Sequence, residues 1–166
     1  MHRRWVFVAA FGLLGGIACS SAPPLADTSA SSEALATGVL DALTRGDRAR
    51  LDAIALSEQE FRDHVWPDLP AARPERNLPF SYVWGDLHQK SNLSLARTLM
   101  AQRGKRHTLQ RVTFAGTTKY ANYVVHRDAT FVVTDPSGAS TELRVCGSFV
   151  EKDGRWKVFS YVVDDD

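Results

Sequence analysis

Two alternating segments, Glu142 to Val150 and Arg155 to Val163, flank Asp153-Gly154 near the C-terminal end of the chain. An aspartate–glycine pair suits the central positions of a two-residue hairpin turn, and a turn that short leaves little freedom in how its strands pair. The predicted register sets Glu151 opposite Trp156, Phe149 opposite Val158, Gly147 opposite Ser160 and Val145 opposite Val162. One face then carries Leu143, Val145, Phe149, Trp156, Val158 and Val162, and is the expected core. The other carries Cys146, Ser148, Phe159, Tyr161 and Val163, which is unusually apolar for a solvated surface. That outer face needs a cover, either a second copy of the chain in a homodimer or the chain's own helices and N-terminal segment.

Upstream of the hairpin, Leu109 to Phe114 reads as a first strand. Tyr120 to Thr134 reads as a longer strand or a bent pair broken near His126-Arg127-Asp128, followed by the turn Asp135-Pro136-Ser137-Gly138. Earlier still, the spacing turns helical. Leu35, Val39, Leu40 and Leu43 predict a helix from Glu33 to Thr44, with Ser31 or Ser32 as its cap. Asp47 caps a shorter helix carrying Leu51 and Ile54. Ser57-Glu58-Gln59-Glu60 is a capping-box pattern that opens a third helix, ended by Pro67 after Trp66. Pro67, Pro70, Pro74 and Pro79 make the next stretch a constrained surface loop. Val83, Leu87, Ser91, Leu95 and Leu99 then stripe a helix from Ser81 to Arg103, stopped by Gly104. Arg103, Lys105, Arg106, His107 and Arg111 cluster at its end and read as a solvated helix terminus complementing the helix dipole. Helices first and an antiparallel sheet afterwards predict an α+β fold, with the helices packed on one sheet face.

With 166 residues, 44% hydrophobic and 23% charged, the chain suits one compact domain. The first residues stand apart. Met1-His2-Arg3-Arg4 is a basic lead into the apolar run Trp5 to Ile17, the length of a secretory signal and short for a membrane span. Gly16-Ile17-Ala18-Cys19 resembles the bacterial lipobox, although Gly16 stands where leucine is usual. The resemblance implies removal of residues 1–18 and acylation of Cys19, with an ordinary signal cleaved near Ala18 or an uncleaved anchor as the alternatives. Residues 19–32, rich in Ser, Ala, Thr and Pro, read as a flexible leash, and residues 33–166 as the domain. Ser20 stands where aspartate would favour the inner membrane, so the implied address is the cell envelope, at the outer membrane where the source has two. Acylating Cys19 leaves Cys146 without a partner, so we expect no disulfide and a buried, inert thiol. Losing Arg3 and Arg4 from 20 basic residues against 19 acidic ones leaves a net charge of −1, which gives nucleic acid no purchase.

The first helix with Gly46-Asp47 and the short helix after it, the sheet order after Gly104, and Gly147 through Gly154-Arg155-Trp156-Lys157-Val158 together resemble the NTF2-like superfamily, the cone-shaped α+β fold of ketosteroid isomerase and scytalone dehydratase. The match spans residues 33 to 163. It implies a curved sheet with helices across its mouth and, in enzymatic relatives, an aspartate or an aspartate–histidine pair inside the cone. The acids and bases on offer here are Asp63, His64, Asp86, His88, His107, His126 and Asp128, and none stands in a recognisable catalytic motif. His64, His88, His107 and His126 lie 24, 19 and 19 residues apart, which is no metal-ligand spacing. A phosphate-binding glycine loop and an activated-serine elbow are also missing, and no cofactor is implied.

A candidate ligand site lies between Asp63 to Trp66 and Tyr82 to His88, where Trp66, Tyr82, Trp84 and His88 combine aromatic walls with polar handles; ordinary aromatic packing with a satisfied histidine is the alternative use of the same residues. Trp84 and His88 are four apart and share a helix face. His88 is the candidate general base, with Asp63 or His64 as its orienter. The expected function is an envelope-tethered module that binds a small apolar ligand or an envelope protein. The alternative is a small cofactor-free enzyme doing acid–base chemistry of isomerase or dehydratase type in the cone. A purely structural role is the third reading.

Overall fold

The computed structural model describes residues 22–163, so the signal-peptide and Cys19 expectations lie outside the described residues. Among the described residues four α-helices precede five antiparallel strands in an α+β arrangement. Helix α1 (Ser32–Arg45) starts where Ser31 Oγ accepts the Ala34 N–H. It ends in a left-handed Gly46, which donates to the Leu43 carbonyl at 3.1 Å while Asp47 N–H reaches Ala42 at 2.8 Å. The same Asp47 caps α2 (Arg48–Ala53) by accepting the Arg50 N–H, so two residues turn the chain from one helix into the next.

Ser57 and Glu60 form the expected reciprocal capping box around α3 (Glu58–Glu60). The chain then widens into a π turn at Phe61–Val65 and tightens into a 3-10 turn at Trp66–Asp68, where a plain helix was expected. Phe61 and Val65, four residues apart, both face inward. Pro70 and Pro74 each open a further 3-10 turn, which gives the proline-rich loop its constrained path. Helix α4 (Phe80–Gln102) follows within one residue of the predicted bounds.

The sheet is a meander of β1 (Thr108–Lys119), β2 (Val124–Thr134), β3 (Ser140–Leu143), β4 (Ser148–Lys152) and β5 (Arg155–Ser160). Both β3 and β4 pair with β2, β3 against its end and β4 against its beginning, so they are two halves of one strand interrupted at residues 144–147. The predicted hairpin forms at Asp153-Gly154, both left-handed, with Glu151 opposite Trp156 and Phe149 opposite Val158. Beyond that point the register departs from expectation. Ser148, not Gly147, faces Ser160, and Phe159 is the extra residue of a bulge. One added residue reverses the parity of everything after it. Tyr161 therefore turns into the core with Cys146, while Val162, expected inside, is only half-buried.

The main core joins α1, α2 and Leu95 of α4 to Phe131, Val133, Phe149, Val158 and Tyr161. A second cluster lies on the opposite sheet face, where Val125 and Val150 meet Leu56, Phe61 and Val65, with Trp66, Phe80, Trp84 and Phe159 packed around them. The helical cover thus reaches both faces, against the expectation of one. Much of the outer patch that suggested a sheet-to-sheet homodimer is covered from within the chain: Cys146 and Tyr161 are buried, and Phe159 packs against the second cluster.

The leash expectation also changes. Pro23 to Ser31 lie along the domain rather than free of it: Ser29 exchanges two 2.9 Å backbone bonds with Trp156, Ala26 N–H donates to Glu60, and Asp27 pairs with Arg50. With Ile54–Leu56 pairing beside Val158, this strap closes the free edge of β5.

Candidate functional site

The first half of α4 carries Trp84 and His88 one turn apart, and their rings stack at 5.3 Å and 19°. On its far side Trp84 meets Phe61 at 5.2 Å, so the indole is fixed between the second core and the imidazole. This pair walls a cleft of about 420 Å³ between α2, the segment after it, α4 and the end of β5, a volume in the range of small-molecule sites. Leu56, Leu87, Phe159 and Tyr161 supply its apolar lining.

A chain of polar contacts fixes the opposite wall. Arg48 Nε donates to both oxygens of Asp52 at 2.8 and 2.9 Å, and its guanidinium donates to Asn92 Oδ1 at 2.6 Å. The Asn92 amide nitrogen in turn lies 3.1 Å from His88 Nε2. Two i,i+4 pairs on separate helices are thereby locked together, and His88 is held by its neighbour as well as by Trp84. Below them Ser91 Oγ accepts the Tyr161 N–H at 2.9 Å, and Tyr161 Oη donates to the Leu51 carbonyl at 2.6 Å. Burial pushes the Tyr161 phenol well above its ordinary pKa, so it serves as a neutral hydrogen-bond donor.

Two of the four predicted ligand residues, Trp84 and His88, line this cleft. Trp66 and Tyr82 do not: Trp66 packs edge-on to Phe80 at 5.5 Å, and Tyr82 points to solvent. Asp63 and His64, expected opposite His88, border a different cleft beside the strap. There Asp63 accepts from Gln59, and His64 Nε2 lies 2.7 Å from the Pro23 carbonyl. The π turn rotates both away from α4. Arg48, Asp52, Ser91 and Asn92 were missed by the sequence reading. The spacings 48–52 and 88–92 were visible there, but the contact between Arg48 and Asn92 joins residues 44 apart.

The remaining acids and bases are placed singly. Asp86 pairs with Lys90 on the surface of α4, Asp128 holds a left-handed backbone in β2, and His107 leans on Gln102 at 3.3 Å. His126 lies 3.2 Å from Glu151 and against the rings of Trp156 and Phe114. The inside of the sheet, where a cone cavity is implied, is packed with Phe131, Phe149 and Tyr161. Cys146 is buried there, and burial raises its thiol pKa far enough to keep it protonated. Among the described residues no group of three or more His, Cys, Asp or Glu could hold a metal ion, and no helix is long and apolar enough to cross a membrane. Compared with protein-family models, curated proteins and solved structures, the chain finds no match in any of the three.

Proposed function

We propose that this protein is a ligand-binding module tethered to the cell envelope, and that its ligand is a small, partly apolar molecule held in the Trp84–His88 cleft. The observation that carries the reading is a preformed cleft with one aromatic wall and one polar wall, both fixed before any ligand arrives. Preorganisation of this kind lowers the ordering cost of binding. Envelope tethering draws on Met1 to Cys19 and their likeness to a lipoprotein signal. The NTF2-like resemblance is supported by helices leading into an antiparallel meander. A filled sheet interior moves the ligand to the end of the sheet.

Binding is favoured over acid–base chemistry by what surrounds His88. Of the two carboxylates in the same cleft, Asp52 gives both oxygens to Arg48 and Glu58 accepts from Arg62 at 2.8 Å, and Asp63 and His64 lie elsewhere. A general base without an orienting acid has little to set its direction. The test is titration of the protein with small planar aromatics, with and without a hydroxyl or amide group, followed by tryptophan fluorescence and thermal shift. Trp84→Ala and His88→Ala should each weaken binding by roughly tenfold, about 1.4 kcal/mol, while Tyr82→Ala on the far side of α4 leaves it unchanged. Affinity that survives both cleft substitutions, or that follows Tyr82, overturns the site.

A further inference from the structure

We propose that the chain pairs with a second copy of itself through the outward face of α4, the two helices running antiparallel about a twofold axis level with residue 91. The large apolar residues left exposed among the described residues are Leu78, Tyr82, Leu93 and Met100, at 40%, 66%, 56% and 78% exposure. Three of them lie on α4, a helix of 23 residues of which Leu95 alone is fully buried. At about 100° per residue, Tyr82 and Met100 fall on one line along the helix, and Leu93 about 20° from it. The stripe is separate from the cleft, which Trp84 and His88 face.

The occupant follows from the symmetry of the stripe. An antiparallel twofold axis level with residue 91 brings each position against one that lies, to within a residue, equally far beyond the axis, and keeps each flank of the helix on its own side. Tyr82 then meets Met100, and Gln89 meets Leu93. On one flank Asp86 meets Arg97, and on the other Gly85 meets Ala96, each contact occurring twice. The charges are complementary in this arrangement alone: parallel helices would set Asp86 against Asp86 and Arg97 against Arg97. Asp86 already holds Lys90 at 2.8 Å, so Arg97 of the second copy extends an existing ion pair, and such surface pairs choose the register more than they add affinity. Gly85 fits the same scheme. A glycine weakens the middle of a helix, and within one chain a Cβ at this position would meet nothing within 4 Å. Close approach of a second helix opposite Ala96 gives the missing side chain a use.

The experiment is sedimentation equilibrium of the full chain in mild detergent, joined to disulfide trapping in membranes. A dimer is expected, and Leu93→Asp should weaken it roughly tenfold or more by burying a charge at the contact. Asp86→Arg and Arg97→Asp should each weaken it and the double exchange restore it, a recovery that misfolding would not produce. Oxidation of mixed Gln89→Cys and Leu93→Cys chains should give the mixed disulfide in preference to either homodisulfide. A monomer at high micromolar concentration, a dimer indifferent to Leu93→Asp, or a preference for homodisulfides would overturn the proposal.

Discussion

Gly147 shows how much one position can carry. It sits in the interruption between β3 and β4, accepts the Ala129 N–H at 2.9 Å and donates to the Ser160 carbonyl at 3.0 Å. A Cβ built there would run into the Val162 carbonyl, which is backbone and cannot rotate aside. Held from two sides, the glycine cannot retreat. Gly147→Ala should therefore destabilise the fold by about 2–3 kcal/mol, the range of a forced backbone shift in a packed core. Gly38, inside α1, is the contrasting case, because a Cβ there meets nothing within 4 Å. Gly38→Ala should stabilise by up to about 1 kcal/mol through helix propensity. Urea unfolding of the two variants checks both signs, and a neutral Gly147→Ala would mean that the Val162 segment is free to move.

Among the elements, α3 depends on one side chain beyond its three residues. Glu60 closes the capping box with the Ser57 N–H, accepts the Ala26 N–H of the strap and takes Lys157 of β5 on both oxygens at 2.9 Å. The Lys157 side chain is 2% exposed, so this is a buried ion pair that ties strap, helix and sheet together. Lys157→Met leaves the carboxylate buried without its cation and should cost about 3 kcal/mol, with part of that recovered when Glu60→Gln is added. The pH dependence has a definite sign. Burial alone would raise the Glu60 pKa, but the Ser57 N–H, the Lys157 ammonium and the Ala26 N–H outweigh it and hold the carboxyl below its ordinary value of 4.5. The folded state thus binds fewer protons than the unfolded state in the acid range. Its contribution is fully present above pH 4.5 and is lost as pH falls through the lower folded value. Unfolding midpoints measured downward from pH 6 should fall less steeply for Glu60→Gln than for the parent chain, and equal slopes would remove Glu60 from the account.

At the scale of the whole molecule, the strap changes how a lipid anchor would act. Among the described residues its contacts begin at Pro23, where the carbonyl meets His64. Four peptide links separate that residue from Cys19, and a fully extended chain covers at most about 14 Å over that distance. Under the proposed acylation the domain rides close to the bilayer, and a leash running to residue 32 would have held it much farther away. Cys19→Ala should move the protein from the membrane fraction to a soluble or unprocessed form, read by fractionation and by the size of the product. Membrane retention with normal processing would count against the anchor.

What the sequence by itself determined was local. Ser31, Gly46-Asp47, Ser57 with Glu60, and Asp153-Gly154 act on backbone groups within five residues, so the helix starts and the hairpin turn were legible from nearest neighbours. The i,i+4 partnership of Trp84 and His88 was legible for the same reason. Tertiary structure decided the rest. The Phe159 bulge comes just before the chain passes the Val162 carbonyl over Gly147, and that single extra residue exchanged the fates of Tyr161 and Val162. Helical cover on the second sheet face includes Phe61 and Val65 of a π turn, which no local signal announced. The polar wall of the cleft needed α2 and α4 side by side, a contact 44 residues apart in the chain. Periodicity says that a side chain belongs to a face, and packing alone says what that face will meet.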